Sequence, residues 1–328
     1  MAPVGYEGEK LQEKLSNPRR TIEILQKYSF SFHKKLGQNF LIDEHVINKI
    51  IASAGITKDD MVIEIGPGIG TLTQYLAEAA GNVVAVELDS KLLPILDETL
   101  SDYSNVTVIN ADILDLDLED ICSKYSEGRT VKVAANLPYY ITTPIIMALL
   151  EGKAGITSLK EDEGSGPGTV RITGTVPEFE SITVMVQKEV ALRMQASPGS
   201  KDYGALSLAV QYYSEPYLAA NVPRNSFIPR PNVDSAVVRL LRRKDPPVTV
   251  SDPALMFRII RAAFMQRRKT LANSIANRPE LSFSRDAVKE ALNRTGLPEN
   301  VRGEALDLTQ FAALTCALTE ADENGRPY

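Results

Sequence analysis

The chain has 328 residues, of which 44% are hydrophobic and 24% charged, and its formal net charge is −6. This length suggests about two domains, and the ordinary composition excludes collagen, coiled coils and wholesale disorder. No apolar run approaches the roughly 20 residues that cross a bilayer, and the glutamate-bearing N-terminal stretch lacks the apolar core of a signal peptide. Two cysteines, Cys122 and Cys316, make neither a disulfide framework nor a four-cysteine zinc site. We therefore expect a cytoplasmic protein with no membrane or metal partner.

Short apolar strands alternate with helix-length segments through the first part of the chain. Strands are predicted at 61–65, 83–87, 106–110, 131–135, 182–186 and 235–240, and helices at 71–80 and 91–100. Strands that are joined by helices run parallel, with helices on both faces of the sheet. The pattern therefore predicts a parallel, doubly wound α/β sheet.

The remaining segments divide the chain into domains. Residues 1–31 form an N-terminal extension to which we assign no role, and the sheet domain spans 32–241. Within it the strand and helix pattern lapses over 152–180, which we interpret as a loop insertion because it holds glycine, proline and an acidic run. A proline-containing linker follows, and helical spacing of apolar residues predicts a smaller, all-helical domain over 248–328.

Three glycines, Gly66, Gly68 and Gly70, separate the first predicted strand from a helix. Glycines in such a turn let the backbone approach a nucleotide that a Cβ would exclude. Glu87 ends the next strand, where a carboxylate can accept hydrogen bonds from both ribose hydroxyls, and Asp112 follows the third strand, where it can accept one from an adenine amine. Together they indicate an adenosine-bearing ligand, and both a nicotinamide dinucleotide and S-adenosylmethionine fit this pattern.

The fourth strand is followed by Asn136, Leu137, Pro138 and Tyr139, which favour S-adenosylmethionine. An adenine N6 amine is a poor nucleophile because its lone pair is delocalised into the ring. The Asn136 side-chain oxygen and the Leu137 carbonyl could accept both N–H bonds and localise that lone pair, while Pro138 fixes the backbone direction. Tyr139 could stack on a base taken out of its helix. Such catalysis depends on orientation and fixed dipoles.

Basic residues are concentrated in one part of the sequence. Residues 222–270 hold eleven basic and three acidic side chains, a net charge of +8, so the rest of the chain carries −14. A bias this one-sided predicts a phosphate-facing surface rather than interleaved ion pairs. The candidate RNA-binding residues are Arg224, Arg230, Arg261, Arg267, Arg268 and Lys269.

These motifs together resemble the ribosomal RNA adenine N6-dimethyltransferase family, and most closely its small-subunit branch. The resemblance covers nearly the whole chain from about residue 32 onward. The matching stretches are Lys35-Leu36-Gly37-Gln38-Asn39-Phe40-Leu41, Glu64-Ile65-Gly66-Pro67-Gly68, Asn136-Leu137-Pro138-Tyr139, Gln187-Lys188-Glu189-Val190, 227–238 and 263–270.

The resemblance implies a Rossmann-like, S-adenosylmethionine-dependent methyltransferase sheet that dimethylates two adjacent adenines in the 3′-terminal hairpin of small-subunit (16S) rRNA. It implies a monomer that acts on rRNA within an immature subunit and takes part in small-subunit biogenesis. Cofactor-binding roles are implied for Gln38, Asn39, Leu41, Gly66, Gly68, Glu87, Asp112 and Asn136. Catalytic roles are implied for Asn136, Leu137, Pro138, Tyr139 and Phe227, with Phe227 as the second aromatic face against the target adenine.

Two features depart from the family's pattern, and alternative functions are open. Tyr140 stands where the family commonly has Asn, and the insertion at 152–180 is longer than usual. The alternatives are a large-subunit adenine methyltransferase of the macrolide-resistance type, a nucleotide-binding dehydrogenase, and an assembly factor that acts mainly by binding. The basic 266–270 segment and the helical tail favour the small-subunit branch over the large-subunit one.

Overall fold

The computed structural model describes residues 13–32, 37–151, 177 and 179–323. The strands are β1 Phe40–Leu41, β2 Asp60–Ile65, β3 Asn82–Glu87, β4 Val106–Asn110, β5 Thr130–Asn136, β6 Ser181–Gln187, β7 Ser214–Val222, β8 Phe227–Ile228 and β9 Ser235–Arg242. The helices are α1 Pro18–Lys27, α2 Glu44–Ala54, α3 Thr71–Ala79, α4 Leu93–Thr99, α5 Leu118–Tyr125, α6 Thr142–Glu151, α7 Lys188–Met194, α8 Ala205–Tyr213, α9 Pro253–Met265, α10 Leu271–Ala276, α11 Arg285–Arg294 and α12 Leu308–Glu323.

Seven strands form the central sheet, in the order β4-β3-β2-β5-β6-β9-β7. The prediction of a doubly wound α/β fold is confirmed, and β4, β3, β2, β5 and β6 run parallel. The expectation of a parallel sheet is wrong for β9, which is antiparallel to both of its neighbours, β6 and β7, so that β7 again runs in the direction of the other strands. The segment from β7 to β9 contains only a short 3-10 turn and β8, so the chain has no crossover helix there and returns in the opposite direction.

The sequence pattern identified every strand of this sheet except β7, which lies at its edge. Glu215 is exposed, and Pro216 lacks the N–H that a central strand would need. The register with β9 also shifts between Leu218 and Ala220. These features interrupt the alternation of apolar and polar residues that reveals a strand in a sequence.

Helices cover both faces of the sheet, because neighbouring residues of a strand point to opposite sides. Val62 packs on one face in a cluster with Ile47 of α2 and Leu76 of α3. Ile63 packs on the other face in a cluster with Ile146 of α6 and residues of α5, α7 and α8. The carboxyl ends of the parallel strands are therefore held at one edge by cores on either side.

The described part of the predicted N-terminal extension packs against the sheet domain. Ile24 of α1 is fully buried in a cluster with Phe40, Ile69 and Ile95. Tyr28 at the end of α1 donates a hydrogen bond over 2.7 Å to a side-chain oxygen of Glu98 in α4. Residues 13–32 thus cover the loop between β2 and α3.

The C-terminal helices α9 to α12 pack around a separate apolar cluster, which agrees with the predicted helical region. That cluster also takes in Leu208 and Tyr212 of α8, so α8 contacts both cores. Most of the predicted loop insertion, 152–176 and residue 178, lies outside the described residues, whereas Phe179 is buried in the sheet core. Among the described helices, none is long and apolar enough to cross a membrane.

Candidate active site

A cleft opens at the carboxyl edge of the sheet, where the strand order reverses. The chain places β3 and β4 on one side of β2 and β5 on the other, so the loops after β2 and β5 leave in opposite directions and a crevice opens between them. The cleft has a volume of about 1010 Å³, including the part that opens to solvent. The sequence-predicted residues that line it are Gln38, Asn39, Leu41, Gly66, Gly68, Glu87, Asp112, Asn136, Leu137, Pro138 and Tyr139.

The glycine turn after β2 forms the floor of the cleft. Gly66 and Gly68 have φ angles of 69° and 64°, in the left-handed region that favours glycine. A Cβ on Gly68 would lie 2.9 Å from Cε1 of Phe40, so the ring of Phe40 occupies the space that a side chain would need. Phe40 therefore packs directly on the turn and leaves no space for a side chain at position 68.

Glu87 connects the end of β3 to this turn. Its Oε2 accepts a hydrogen bond from the Gly68 N–H over 3.1 Å, and its Oε1 accepts one from the Asp89 N–H over 2.8 Å. The carboxylate is only 6% exposed, and burial raises its pKa above the ordinary glutamate value. The position at the strand end is the one predicted for a ribose-binding carboxylate.

Asp112 lies at the next strand end along the cleft. Its Oδ1 accepts a hydrogen bond from the Leu114 N–H over 2.9 Å, which fixes the side chain against its own loop. The residue is partly buried and lines the cleft beside Ala111 and Ile113. This combination of one carboxylate and apolar neighbours suits the edge and faces of an adenine ring.

The segment that contains Gln38 and Asn39 closes one side of the cleft. The Gln38 side-chain amide donates to Oδ2 of Asp89 over 2.8 Å, and the Asn39 amide donates to the Gly37 carbonyl over 2.9 Å. Leu41 pairs with Phe227 in the two-stranded ladder of β1 and β8. We call residues 37–41 the closing segment.

Asn136 ends β5 and faces the closing segment. Its Nδ2 donates a hydrogen bond to the backbone carbonyl of Asn39 over 3.0 Å. The backbone continues through Leu137, whose N–H bonds the Met185 carbonyl over 3.1 Å, and Pro138, whose carbonyl accepts a bond from the Thr142 hydroxyl over 2.9 Å. The turn that carries the predicted catalytic groups is thus anchored to both β6 and α6.

Tyr139 is held by a single polar contact. Its hydroxyl lies 2.7 Å from Oγ of Ser235, the first residue of β9. Burial raises the pKa of Tyr139, so the phenol is neutral at physiological pH. The ring is therefore oriented toward the β9 side of the cleft.

The structure does not bring Phe227 into the cleft. Its side chain is 3% exposed and packs in the apolar cluster that contains Leu41, Val46 and Val222. The backbone of β8 is close to the closing segment, but the ring points into the core because β8 pairs with β1 in this register. A role of Phe227 as an aromatic face for a base would require the ring to leave this cluster.

Two further cleft residues were missed from the sequence, Glu64 and Thr71. Glu64 is 1% exposed, and burial raises its pKa to about 8, against the opposing effect of the Thr73 hydroxyl. Among the described residues, its Oε2 and the Thr71 Oγ1 are buried without a hydrogen-bond partner. Buried polar atoms are normally paired, and these two line the cleft, where a bound ligand with N–H donors could pair with them. Glu64 interrupts the apolar stretch 61–65, and this is the sequence feature that could have revealed it as a candidate site residue.

The candidate RNA-binding residues form two groups on different elements. Arg224 and Arg230 are exposed on either side of β8. The others lie in α9 or directly after it, where Arg267 is shared between the Lys201 carbonyl at 3.2 Å and a Glu304 oxygen at 3.3 Å. Within the described ranges, no group of three or more side chains could hold a metal ion.

Comparisons with known proteins identify one family. The model of the family described as ribosomal RNA adenine dimethylase matches residues 29–314. A relative named ribosomal RNA small subunit methyltransferase A, from Lachnoclostridium phytofermentans, is 56% identical over 93% of this chain and 98% of its own length. One of the same name from Geobacillus thermodenitrificans is 47% identical over 94% of this chain and 98% of its own.

Two solved structures of similar fold are also those of adenine or rRNA methyltransferases. A dimethyladenosine transferase from Plasmodium falciparum superposes with a TM-score of 0.63 at 25% identity, covering 87% of this chain and 98% of that one. The 23S rRNA methyltransferase ErmE superposes with a TM-score of 0.57 at 26% identity, covering 86% of this chain and 100% of that one. With the cleft, the glycine turn and the Asn136 turn in place, these matches show that the chain belongs to the ribosomal RNA adenine dimethylase family.

Proposed function

We propose that this protein dimethylates N6 of two adjacent adenines in the 3′-terminal hairpin of small-subunit (16S) rRNA, with S-adenosylmethionine as the methyl donor. The observation that carries the proposal is the position of Asn136. Its side chain lies at the switch point of the sheet, in one cleft with the acidic strand ends Glu87 and Asp112. The site therefore places a group that can hold a target amine beside groups that can hold an adenosine.

The residues of the cleft fit S-adenosylmethionine. Glu87 and Asp112 supply carboxylate acceptors for the ribose and the adenine, and the absence of a side chain at Gly66, where a Cβ would meet only Pro138 at 3.9 Å, leaves room for close backbone approach. The unpaired oxygens of Glu64 and Thr71 suit the ammonium group of the methionine moiety. When bound, the cofactor supplies a methyl group on a cationic sulfonium.

The chain's own residues then orient the acceptor. The hydrogen bond from Asn136 to the closing segment fixes the side-chain amide, so that its oxygen can accept one N–H of the target amine. The Leu137 carbonyl, anchored through its neighbours to β6 and α6, accepts the other. Holding both protons in this way localises the nitrogen lone pair, and no strong base is needed because the amine loses its proton after attack on a cation. Tyr139 provides the ring on which the extruded base stacks.

Dimethylation makes a further demand on this turn. The monomethyl product retains one N–H, so the amine must rotate until that N–H meets one of the two acceptors again. A cleft that opens to solvent leaves room for this rotation, whereas a tightly enclosed pocket would stop after one methyl group. We infer that Asn136 and Leu137 together hold the amine in the first round and that one of them holds the remaining N–H in the second.

The RNA partner is inferred from charge as well as from the site. The +8 stretch at 222–270 includes exposed Arg224, Arg230, Arg268 and Lys269, which can neutralise backbone phosphates. We propose that they dock the protein, as a cytoplasmic monomer, on rRNA within an immature small subunit, and that methylation contributes to subunit biogenesis.

The alternative substrate within the family is large-subunit rRNA, and the similarity to ErmE is the observation that favours it. The more similar curated relatives, however, are small-subunit enzymes that match almost their full length. The relatives and structures named above are methyltransferases or transferases, which favours S-adenosylmethionine over a nicotinamide dinucleotide.

The test is a methylation assay with purified immature small subunits and, separately, large-subunit rRNA. We expect dimethyladenosine only in the former, detected by mass spectrometry of the digested RNA, and its loss in Asn136→Ala. Activity confined to large-subunit rRNA would refute the proposal. Comparing subunit maturation in an Asn136→Ala strain with a full deletion then separates methylation from a role in binding alone.

A further inference from the structure

Tyr140 is an exposed aromatic residue at the mouth of the cleft to which no role has been assigned. Its side chain is 52% exposed, one of the larger exposed apolar surfaces among the described residues, and it lines the cleft with Leu88 and Ile113. A Cβ on Gly37 would lie 3.5 Å from Cδ1 of the Tyr140 ring. The ring therefore lies against the closing segment, at the edge of the cleft opening.

Tyr139 and Tyr140 follow β5 in the turn that leads to α6, and the two side chains have different neighbours. Tyr139 reaches Ser235 at the start of β9, on the side of the sheet that contains β6. The charges that act most strongly on Tyr140 are those of Asp112 and then Glu87, at the ends of β4 and β3 on the other side. Tyr139 thus contacts β9, whereas Tyr140 lines the same cleft as the strand ends Glu87 and Asp112.

This division matches what a methyl transfer requires. Donor and acceptor must approach the moving methyl group from opposite directions, so the cofactor and the target base occupy different halves of the cleft. The carboxylates Glu87 and Asp112 mark the adenosine half, and Tyr139 marks the half for the target base. The shared lining with Leu88 and Ile113, which follow Glu87 and Asp112, points to the adenosine half for Tyr140.

We propose that the Tyr140 ring covers the adenosine moiety of the bound cofactor and sets cofactor affinity, while Tyr139 alone serves the target base. This inference depends on the proposed function, since it assumes that S-adenosylmethionine is the ligand. It assigns Tyr140 as a cofactor-binding residue. Burial and the two carboxylates raise the pKa of the Tyr140 phenol, so the ring is presented uncharged over the ligand.

The test is calorimetric titration of the full-length protein with S-adenosylhomocysteine, which binds without turnover. Stacking on an aromatic ring predicts about tenfold weaker binding for Tyr140→Asn and Tyr140→Leu, and near wild-type binding for Tyr140→Phe, which keeps the ring. The same loss is expected with 5′-methylthioadenosine, which lacks the amino-acid part, because the contact is to the adenosine half. Tyr217→Ala, at an exposed tyrosine of edge strand β7, is the matched control and should bind normally.

Steady-state kinetics provide the second readout. We expect the KM for S-adenosylmethionine to rise in Tyr140→Asn and the KM for rRNA to stay unchanged. An unchanged affinity for S-adenosylhomocysteine, or a rise confined to the KM for rRNA, would overturn the assignment and place Tyr140 on the RNA. If the wild-type protein itself fails to bind S-adenosylhomocysteine, it is the proposed function that is refuted. Because Tyr140→Asn and Tyr140→Leu differ in side-chain shape, the same loss of affinity in both would not come from misfolding of one variant. Thermal unfolding of each variant checks that it is folded.

Discussion

The side-chain Nδ2 of Asn136 donates a hydrogen bond over 3.0 Å to the backbone carbonyl of Asn39, which joins the end of β5 to the closing segment. This contact orients the amide whose oxygen is proposed to accept the target amine. It also makes the closing segment continuous with the turn that contains Asn136. A change at either residue is therefore expected to disturb cofactor closure and amine positioning together.

Asn136→Ala should lower the rate of methyl transfer by about 100-fold or more, since removing one preorganised dipole from a catalytic site has that effect. Binding of S-adenosylhomocysteine should weaken as well, because the link to Asn39 is lost. Single-turnover assays with saturating RNA and cofactor measure the rate separately from binding. Asn293→Ala, at an exposed asparagine of α11, is the control. Equal single-turnover rates in the wild type and Asn136→Ala would remove Asn136 from the chemistry.

Gly68→Ala should weaken cofactor binding by about tenfold, because the new Cβ would lie 2.9 Å from the Phe40 ring and push that ring or the turn aside. It should also reduce stability by about 1–2 kcal/mol, because alanine is strained in the left-handed backbone conformation of residue 68. Gly55→Ala separates the two causes, since Gly55 has a φ of 60° with no atom within 4 Å of its Cβ position. Urea unfolding and calorimetry on both variants give the comparison. The cofactor defect should be confined to Gly68→Ala, and a similar defect in Gly55→Ala would show that it arises from general strain.

Glu64 should make the protein less stable as pH rises. Burial raises its pKa to about 8 in the folded state, while the unfolded chain titrates near the ordinary value of about 4.3. The folded state thus holds a proton that the unfolded state loses, so the stability present below pH 4 is lost progressively as pH rises through 8.

In Glu64→Gln this part of the pH dependence should disappear. Between pH 5 and pH 8.5 the wild type should lose at least about 1 kcal/mol more than the variant, measured by urea unfolding without cofactor. Glu119→Gln, at an exposed residue of α5, should follow the wild-type curve. Parallel curves for the wild type and Glu64→Gln would mean that Glu64 is ionised in the folded protein.

Phe227→Leu decides between a core role and a role in base stacking. From the burial of the ring, we expect a loss of about 1 kcal/mol in stability with little change in the KM for rRNA. Tyr139→Leu should raise that KM, because this ring faces the target half of the cleft. If Phe227→Leu raises the KM for rRNA to the same extent, the ring leaves the core when RNA binds.

Arg268→Ala should weaken rRNA binding and reduce the slope of log affinity against log salt by about 0.7–0.9, as expected for the loss of one phosphate contact. The Arg267→Ala effect should be smaller, because the Arg267 guanidinium is shared with Glu304. Filter binding over a range of salt concentrations tests both. Unchanged slopes in both variants would make these arginines ordinary surface residues.

The sequence predicted those parts of the fold that depend on local pattern. Apolar runs identified the strands of the central sheet apart from β7, and the strand ends placed Glu87, Asp112 and Asn136 in one cleft. Such residues are predictable because parallel strands end at a common edge.

Features that depend on tertiary packing were not predictable. The direction of the Phe227 ring is set by the register of β8 on β1, and the covering of the glycine turn is set by α1. Glu64 Oε2 and Thr71 Oγ1 lack a hydrogen-bond partner because of the atoms that surround them in the fold, and the spacing of residues in the sequence does not contain that information.

The ladder between β1 and β8 has a consequence for the timing of activity during synthesis. Phe40 and Leu41 are paired with Ile228 and Phe227, which lie far apart from them along the chain. The closing segment therefore lacks its partner strand until the chain has been translated past residue 228 and that stretch has left the ribosome. A nascent chain that already contains β2, β3, β4 and β5 still has an incomplete cleft, so the proposed cofactor site is completed only late in translation.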